Sequence, residues 1–274
     1  MSECKCFALA NQKGGVGKTA TAVSLSDFLS RAGYRVLLVD GDPQGNATTS
    51  LGIDKGALEV SLYNALLDNV PLAEIIIPTG RPRLDLAPAT LHLAGATVEL
   101  PGCTDRETRL AQALAPLRER YDFICIDSPP SLGILTVNAL AAAEGVLIPL
   151  QCEYLAMEGL AQLLNTVRLI REQINPGLYL IGIVMTMFDR RTRLSIEIVH
   201  EVQRHFPGRV FTALIPRNVR VGEAPSHGKT IWEYDASSRG AISYRLLGRE
   251  FLGRLGIELP AESRAPATVK QADG

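Results

Sequence analysis

Short apolar runs recur along the chain, and longer segments with helical spacing of their apolar positions lie between them. The apolar runs predict strands at residues 6–10, 35–40, 83–88, 123–127, 145–150, 179–186 and 209–216. The segments between them predict helices near residues 17–32, 107–120, 133–143, 157–174, 194–206 and 238–256. Strands that are apolar throughout are buried on both faces, so this order predicts a mostly parallel sheet covered by helices on both sides.

The fold class that follows is α/β, with a single domain built on a mostly parallel twisted sheet. The 274 residues are 46% hydrophobic, which is enough for one sizeable core, and no linker rich in Pro, Gly and Ser divides them. We expect this domain to span residues 1–257. Residues 258–274 are rich in Pro, Ala and charge and lack an apolar stripe, so we expect a disordered tail there.

Composition narrows the possible compartments and partners. The formal net charge of -1 excludes a globally basic coat for nucleic acid, although it allows a local basic patch. The five cysteines show no CxxC spacing, which is typical of a reduced cytoplasmic protein. The first residues hold too short an apolar stretch for a signal peptide, and no run of 18 apolar residues occurs. We therefore expect a soluble cytoplasmic protein.

A glycine-rich loop joins the first predicted strand to the first predicted helix, in the stretch NQKGGVGKTA at residues 11–20. Glycines let backbone N–H groups converge on a phosphate, and the N-terminus of the helix adds a partial positive charge. Lys18 would reach the β- and γ-phosphates, and the Thr19 hydroxyl would bind Mg²⁺. The spacing therefore predicts a nucleoside triphosphate site in a P-loop NTPase fold.

Aspartates follow two other predicted strands. Asp40 ends one strand, Asp42 comes two residues later, and Asp127 ends another strand. Carboxylates just past strand ends, beside a phosphate loop, can hold Mg²⁺ or orient an attacking water. We expect Asp127 to hold the Mg²⁺ shell opposite Thr19. One aspartate of the first pair could instead cap a turn, and we assign that lesser role to Asp40.

The glycine-rich loop departs from the generic pattern G-x-x-x-x-G-K-[ST], because Gln12 stands where that pattern has its first glycine. It matches the variant K-G-G-x-G-K-[ST], the deviant Walker A motif. The chain resembles the ParA/Soj branch of the ParA/MinD family of P-loop ATPases through about residue 255. Besides the loop, the segments that carry the resemblance are VLLVDGDPQGNATTSLG, YDFICIDSPPSLGILTVNAL, PLQCEYLAMEGLAQLL, VMTMFDRRTRLS and IPRNVRVGEAPSHGKTI.

The resemblance implies a Mg²⁺-dependent ATPase that segregates a chromosome or plasmid. Its ATP-bound form would be a sandwich homodimer that binds nucleoid DNA, a double-stranded DNA, without sequence preference. A ParB/Spo0J-like partner would stimulate hydrolysis and so release the DNA. The protein would be cytoplasmic and nucleoid-associated, with no membrane partner.

The resemblance also implies roles for single residues. Asp42 would activate the water, Asp40 would lie near the metal, and Lys13 would reach across the dimer interface to the partner's ATP. The implied catalytic residues are Lys13, Lys18 and Asp42, and the implied metal ligands are Thr19, Asp40 and Asp127. The implied nucleotide-binding residues are Lys13, Gly14, Gly15, Val16, Gly17, Lys18, Thr19, Ala20, Met185, Pro216, Arg217 and Asn218. Two segments would border the adenine base, namely residues 185–189 and residues 216–218. Asn218 could instead cap a helix, and Gly41, where the family often carries a larger residue, is expected to loosen its loop.

The C-terminal part of the chain is basic. Residues 185–254 hold twelve Lys or Arg and seven Asp or Glu, a net charge of +5. No helix-turn-helix or zinc-finger signature accompanies them, so DNA binding there would be led by phosphate contacts and would depend on salt. The resemblance points to Arg191 and Arg220 as DNA contacts. Four further candidates could equally be solvated surface charges, namely Arg190, Arg193, Lys229 and Arg245.

Three other functions compete with partitioning. A MinD-like membrane-cycling ATPase would need an amphipathic C-terminal helix, which the stretch ESRAPATVKQADG does not provide. An iron-protein-like reductase or cluster carrier would need cysteines placed symmetrically at a dimer interface, and no cysteine here stands in a paired motif. A positioning ATPase that carries a protein cargo along the nucleoid has the same sequence features, so the sequence leaves it open.

Overall fold

The computed structural model describes residues 3–153 and 156–259. Its strands are β1 (Lys5–Leu9), β2 (Val36–Asp40), β3 (Ile77–Arg81), β4 (Leu84–Ala87), β5 (Phe123–Asp127), β6 (Gly145–Gln151) and β7 (Tyr179–Thr186). Its α-helices are α1 (Lys18–Arg31), α2 (Asn46–Ser50), α3 (Leu62–Leu67), α4 (Leu72–Ile75), α5 (Ala96–Glu99), α6 (Arg109–Leu114), α7 (Ile134–Ala142), α8 (Ala156–Gln173), α9 (Arg193–His205), α10 (Val219–Glu223), α11 (Ile231–Asp235) and α12 (Arg239–Arg254). Short 3-10 segments lie at Lys55–Ala57, Leu91–Ala94, Leu100–Gly102, Ala115–Leu117 and Ala224–His227.

The strands form one sheet in the order β3-β4-β2-β5-β1-β6-β7. Neighbouring strands pair parallel, except that β3 and β4 pair antiparallel. The prediction of a mostly parallel α/β sheet is confirmed. The connection after β1 runs towards one edge of the sheet, and the connection after β5 runs to β6 on the other side of β1. Ligands of such sheets bind where neighbouring connections diverge in this way, at the carboxyl ends of the strands.

Both faces of the sheet are buried, as the uniformly apolar strands predict. Along β1, Cys6 and Ala8 belong to one buried cluster, while Phe7 and Leu9 belong to a second cluster on the opposite face. Helices α1 and α12 cover the second face. They approach so closely that a Cβ at Gly248 of α12 would lie 2.3 Å from a ring carbon of Phe28. This packing fixes the position of α1, whose first turn carries the phosphate-loop lysine.

The strand predicted at residues 209–216 is not a regular strand. It makes only isolated parallel bridges, which pair Ile183 with Val210 and Phe188 with Pro216. Proline has no backbone N–H, so Pro216 cannot continue a hydrogen-bonded ladder. The segment nevertheless follows β7, since the Ile215 backbone N–H donates to the Met185 carbonyl at 2.9 Å.

The expected boundary between domain and tail remains a prediction. Residues 258–259 are described, whereas residues 260–274, which make up nearly all of the expected tail, lie outside the described residues. Within residues 3–153 and 156–259, no helix combines the length and hydropathy that a membrane crossing requires.

Candidate functional site

The glycine-rich loop lies between the end of β1 and the first residue of α1, at the carboxyl edge of the sheet. Gly15 has φ 74° and Gly17 has φ 84°, so both occupy the left-handed region in which glycine is favoured. Gly17 is also the N-cap of α1, and Lys18 is its first helical residue. The backbone N–H groups of the first helical turn therefore point towards the loop, where a phosphate would bind.

Two side chains anchor the loop to neighbouring strands. The Asn11 side-chain amide donates to the Pro149 carbonyl of β6 at 2.7 Å, and its oxygen accepts from the Lys13 backbone N–H at 2.9 Å. The Thr186 hydroxyl, at the end of β7, donates to the Val16 carbonyl at 2.8 Å. The loop is thus held in shape by contacts that leave its glycine backbone free for a ligand.

Lys18 is buried beneath the loop. Its ammonium donates to the Lys13 carbonyl at 3.2 Å. Burial lowers the pKa of this ammonium, while the nearby Asp127 and Asp42 carboxylates act in the opposite direction. A cation in this position can neutralise phosphate oxygens that enter the loop. Val16 is buried, and Thr19 and Ala20 are half-buried in the same turn.

Asp127 ends β5 and lies between the loop and β2. Its register partners are Leu9 of β1 and Asp40 of β2. The side chain is fully buried, and neither carboxylate oxygen has a hydrogen-bond partner among the described residues. Burial and the neighbouring Asp40 carboxylate raise the pKa of Asp127 to about 8, while the nearby Thr19 hydroxyl and Lys18 ammonium act to lower this pKa. An orphaned buried carboxylate is costly, and a Mg²⁺ ion with its bound waters would supply the missing partner.

Asp40 is also fully buried, but its oxygens have partners. One carboxylate oxygen accepts from both the backbone N–H and the hydroxyl of Thr48, each at 2.7 Å, and the other accepts from the Asp42 N–H at 3.3 Å. Burial raises the pKa of Asp40 to about 6, and the Thr48 hydrogen bonds act against that rise. These bonds match the turn-holding role that the sequence left open for Asp40. Its role as a metal ligand stays a prediction.

Asp42 is buried at the start of the loop that follows β2, and its side chain accepts from the Gln44 N–H at 2.9 Å. The residue before it, Gly41, donates its N–H to the Asp127 carbonyl at 2.8 Å, and a Cβ there would lie 2.8 Å from that oxygen. The expectation that Gly41 loosens the loop is therefore wrong. The absence of a side chain lets this backbone dock tightly on β5.

Lys13 lines a hollow of about 250 Å³ beside the loop. Its ammonium forms an ion pair with Glu153, which follows β6. Glu153 is a residue that the sequence analysis missed, since it lies 140 positions away and belongs to no spacing pattern. On the same side, the Gln12 amide donates to the Gln162 side-chain oxygen of α8 at 2.9 Å.

The two segments expected to border adenine lie side by side. The Arg217 N–H donates to the Phe188 carbonyl at 3.1 Å. Met185 is fully buried in the core, and Asn218 caps α10 by accepting from the Arg220 N–H at 2.9 Å. The cap role that the sequence left open for Asn218 is therefore present. Direct base contacts by Met185, Pro216, Arg217 and Asn218 stay predictions.

The arginines expected to contact DNA are exposed, and several are paired with acids. Each of three pairs is formed within a few residues along the chain: Arg191 with Asp189 at 2.7 Å, Arg193 with Glu197 at 2.7 Å and Arg220 with Glu223 at 3.0 Å. Arg190 and Lys229 are exposed, and Arg245 is half-buried on α12. The bond between residues 217 and 188 brings the segments that carry Arg191 and Arg220 next to each other.

Comparisons with known proteins agree on one family. The model of a family described as "AAA domain" matches residues 4–180. The chain is 52% identical over 246 residues to the sporulation initiation inhibitor protein Soj of Bacillus subtilis, covering 90% of this chain and 97% of that protein. It is 51% identical over 250 residues to the chromosome partitioning protein ParA of Myxococcus xanthus, covering 91% and 88%. A solved structure of cobyrinic acid a,c-diamide synthase from Mycobacterium smegmatis, with bound ADP and magnesium, is 39% identical, has a TM-score of 0.81 and covers 94% of this chain and 98% of its own.

Proposed function

We propose a cycle for this chain, which belongs to the ParA/Soj family of P-loop ATPases. The chain uses ATP and Mg²⁺ and has an ATP-dependent partitioning role. ATP joins two copies in a sandwich dimer. The dimer binds nucleoid DNA without sequence preference, and hydrolysis stimulated by a ParB/Spo0J-like partner releases it. Repeated release would move a chromosome or plasmid within a cytoplasmic, nucleoid-associated system.

The observation that carries the nucleotide part of this proposal is Asp127, a buried carboxylate beside the phosphate loop to which the described part of the chain offers no hydrogen-bond partner. Thr19, Asp127 and Asp40 would hold Mg²⁺, which when bound neutralises charge on the β- and γ-phosphate oxygens. Among the described residues, no three or more His, Cys, Asp or Glu side chains cluster as a metal site. Magnesium fits such a sparse set, because it keeps several waters and takes phosphate oxygens as ligands.

We assign the chemistry to side chains that the fold already holds in place. Asp42 would orient the attacking water and accept its proton, since it is a carboxylate on a loop docked against β5. Lys18 would neutralise the phosphates of its own subunit's ATP. Lys13 would reach the phosphates of the partner's ATP. The negative charge of two facing triphosphates would then be fully neutralised only in the dimer.

The DNA part of the proposal is supported by the adjacent segments that carry Arg191 and Arg220. Both guanidinium groups are exposed and could move from their acidic neighbours to phosphate oxygens, because exposed ion pairs are worth little. One subunit offers few such contacts. Two patches joined in one particle raise avidity on the order of 10² or more, which would make DNA binding depend on ATP.

The partner and the cargo rest on the names of the relatives. A ParB/Spo0J-like protein is the proposed activator because the similar proteins are Soj and ParA. Segregation of DNA is preferred to the positioning of a protein cargo for the same reason.

Lys13→Ala tests the cycle. The variant should keep some ATP binding, because Lys18 remains, but it should lose the ATP-dependent dimer and the DNA binding that follows from it. Light scattering after size exclusion, with ATP or ADP, measures the dimer, and a gel shift with plasmid DNA measures binding. Normal ATP-driven dimerisation of the variant would refute the role of Lys13, and tight DNA binding by the nucleotide-free wild-type monomer would refute the dimer gate.

A further inference from the structure

We propose that Glu153 restrains Lys13 within its own subunit, and that this ion pair opposes ATP-dependent dimerisation. The inference rests on the proposed function, because it concerns how the dimer is regulated. In the single subunit, the Lys13 ammonium contacts the Glu153 carboxylate. Lys13 must leave this acid before it can reach a partner's ATP.

Glu153 is held in position for this contact. One of its carboxylate oxygens accepts from the Gln151 side-chain amide, and the other meets the Lys13 ammonium. Its backbone is fixed as well, since its N–H donates to the Gln151 carbonyl at 2.8 Å and its carbonyl accepts from the Ala156 N–H at 3.0 Å. The carboxylate therefore reaches Lys13 from a backbone position just after β6 that hydrogen bonds hold on both sides.

The loop is also held by α8. The Gln12 amide donates to the Gln162 side chain at 2.9 Å and approaches the Gly159 carbonyl at 3.4 Å, so this half of the loop is attached to α8. The Lys13 N–H is bonded to the Asn11 side chain at 2.9 Å. Because the backbone of Lys13 is fixed in this way, breaking the ion pair frees its side chain alone.

Charge makes Glu153 an obstacle to dimerisation in two ways. Glu153 pairs with the Lys13 ammonium, which the ATP of the partner subunit would need. It also places a negative charge beside the hollow that Lys13 would leave when it extends. The two side chains are 50% and 45% exposed, so solvent screens the pair. The restraint is consequently weak enough to be broken by ATP and a second subunit.

Glu153→Gln tests the restraint with little change of shape, because it removes the charge and keeps the amide-sized side chain. The ATP-dependent dimer of this variant should be about two- to thirty-fold tighter than that of the wild type, because formation of a symmetric dimer breaks two such exposed ion pairs. Sedimentation velocity over a concentration series measures the dissociation constant. The difference between the two proteins should shrink as salt increases. Glu158→Gln is the matched control, since Glu158 lines the same hollow without contacting Lys13 and should leave the constant unchanged.

Urea unfolding without nucleotide tests the pair itself. Glu153→Gln and Lys13→Gln should each lower the midpoint slightly, and the double variant should lower it no further than either change alone. If the two changes lowered the urea midpoint additively, the ion pair would contribute nothing to stability and the proposal would be wrong. A weaker dimer in Glu153→Gln would overturn the restraint and make Glu153 a contributor to the interface. A wild type that fails to dimerise with ATP would refute the proposed function, while the unfolding result would still stand for the pair.

Discussion

At the scale of single residues, the burial of the Asp127 carboxylate affects both the stability of the fold and the candidate Mg²⁺ site. Its pKa of about 8 in the folded chain lies above the ordinary value of 3.8 because burial and Asp40 oppose the charged form. The unfolded chain therefore releases this proton first as pH rises. The free energy of unfolding contributed by Asp127 falls between about pH 4 and pH 8, and is constant above that range.

Asp127→Asn should remove this pH dependence in the nucleotide-free protein. Thermal unfolding between pH 5 and pH 8 should show the wild type losing more stability than the variant across that interval. The same variant should hydrolyse ATP about 10–100-fold more slowly, because the buried carboxylate near the metal is gone. Unchanged Mg²⁺-dependent ATP hydrolysis by this variant would show that Asp127 is not part of the site.

The sequence identifies some site residues better than others, for a physical reason. Lys18 and Thr19 can be predicted from spacing because the phosphate loop is local, and a loop between strand and helix can adopt few shapes. Asp127 can be predicted because it ends an apolar strand. Glu153 has no such signal, since its contact with Lys13 depends on how β6 and α8 are placed by the whole sheet.

At the scale of elements, the segment at residues 209–216 shows where a strand prediction from apolar spacing fails. Its apolar run is real, and Val210, Phe211 and Ile215 are buried. Hydrogen-bond pairing is a separate requirement, and the segment meets it only at intervals along β7. The spacing of apolar residues predicts well which residues are buried. It predicts poorly whether a segment at the edge of a sheet forms a continuous hydrogen-bond ladder, because such a segment has a neighbouring strand on one side only.

Glu250 of α12 supplies the bonds that this segment does not find in the sheet. Its carboxylate accepts from the Thr212 N–H at 2.9 Å, the Thr212 hydroxyl at 2.7 Å and the Ala213 N–H at 3.1 Å, and it pairs with Arg254. Burial acts to raise the pKa of Glu250, but these hydrogen bonds outweigh it and the net pKa is lowered. Its contribution to stability is present above pH 4.5 and is lost as pH falls through the folded-state pKa.

Glu250→Gln should lower the free energy of unfolding at pH 7 by about 1 kcal/mol, since charge-assisted acceptors become neutral. The loss should shrink as pH falls below 4.5, because the unfolded chain then binds a proton at Glu250 and the folded carboxylate does so only at lower pH. Urea unfolding at pH 7 and pH 4 measures both values, with Glu172→Gln on α8 as a control for an exposed acid paired with Arg168. Equal losses at the two pH values would show that the effect is one of packing and not of charge.

At the scale of the whole molecule, the positive charges of the segments proposed to contact DNA are largely compensated within one subunit. Arg191 is 84% exposed and pairs with Asp189, whose pKa that arginine lowers to about 2. Arg220 lies between Glu223 and Asp235, at 3.0 Å and 3.6 Å. Each arginine must exchange an acid for a phosphate, so the net gain per contact is small and several contacts must act together.

Arg220→Ala should therefore weaken ATP-dependent DNA binding by more than the loss of a single phosphate contact would. A symmetric dimer loses two phosphate contacts, so the slope of log affinity against log salt should fall in magnitude by about 2, and affinity should fall about equally for DNA of any sequence. Fluorescence anisotropy with two unrelated duplexes over a salt series measures both quantities. Arg168→Ala on α8, which also breaks an exposed ion pair, should leave the slope unchanged. A slope that Arg220→Ala leaves intact would place the DNA contacts elsewhere, whereas a fall of about 1 would mean that only one subunit of the dimer contacts the duplex through this residue.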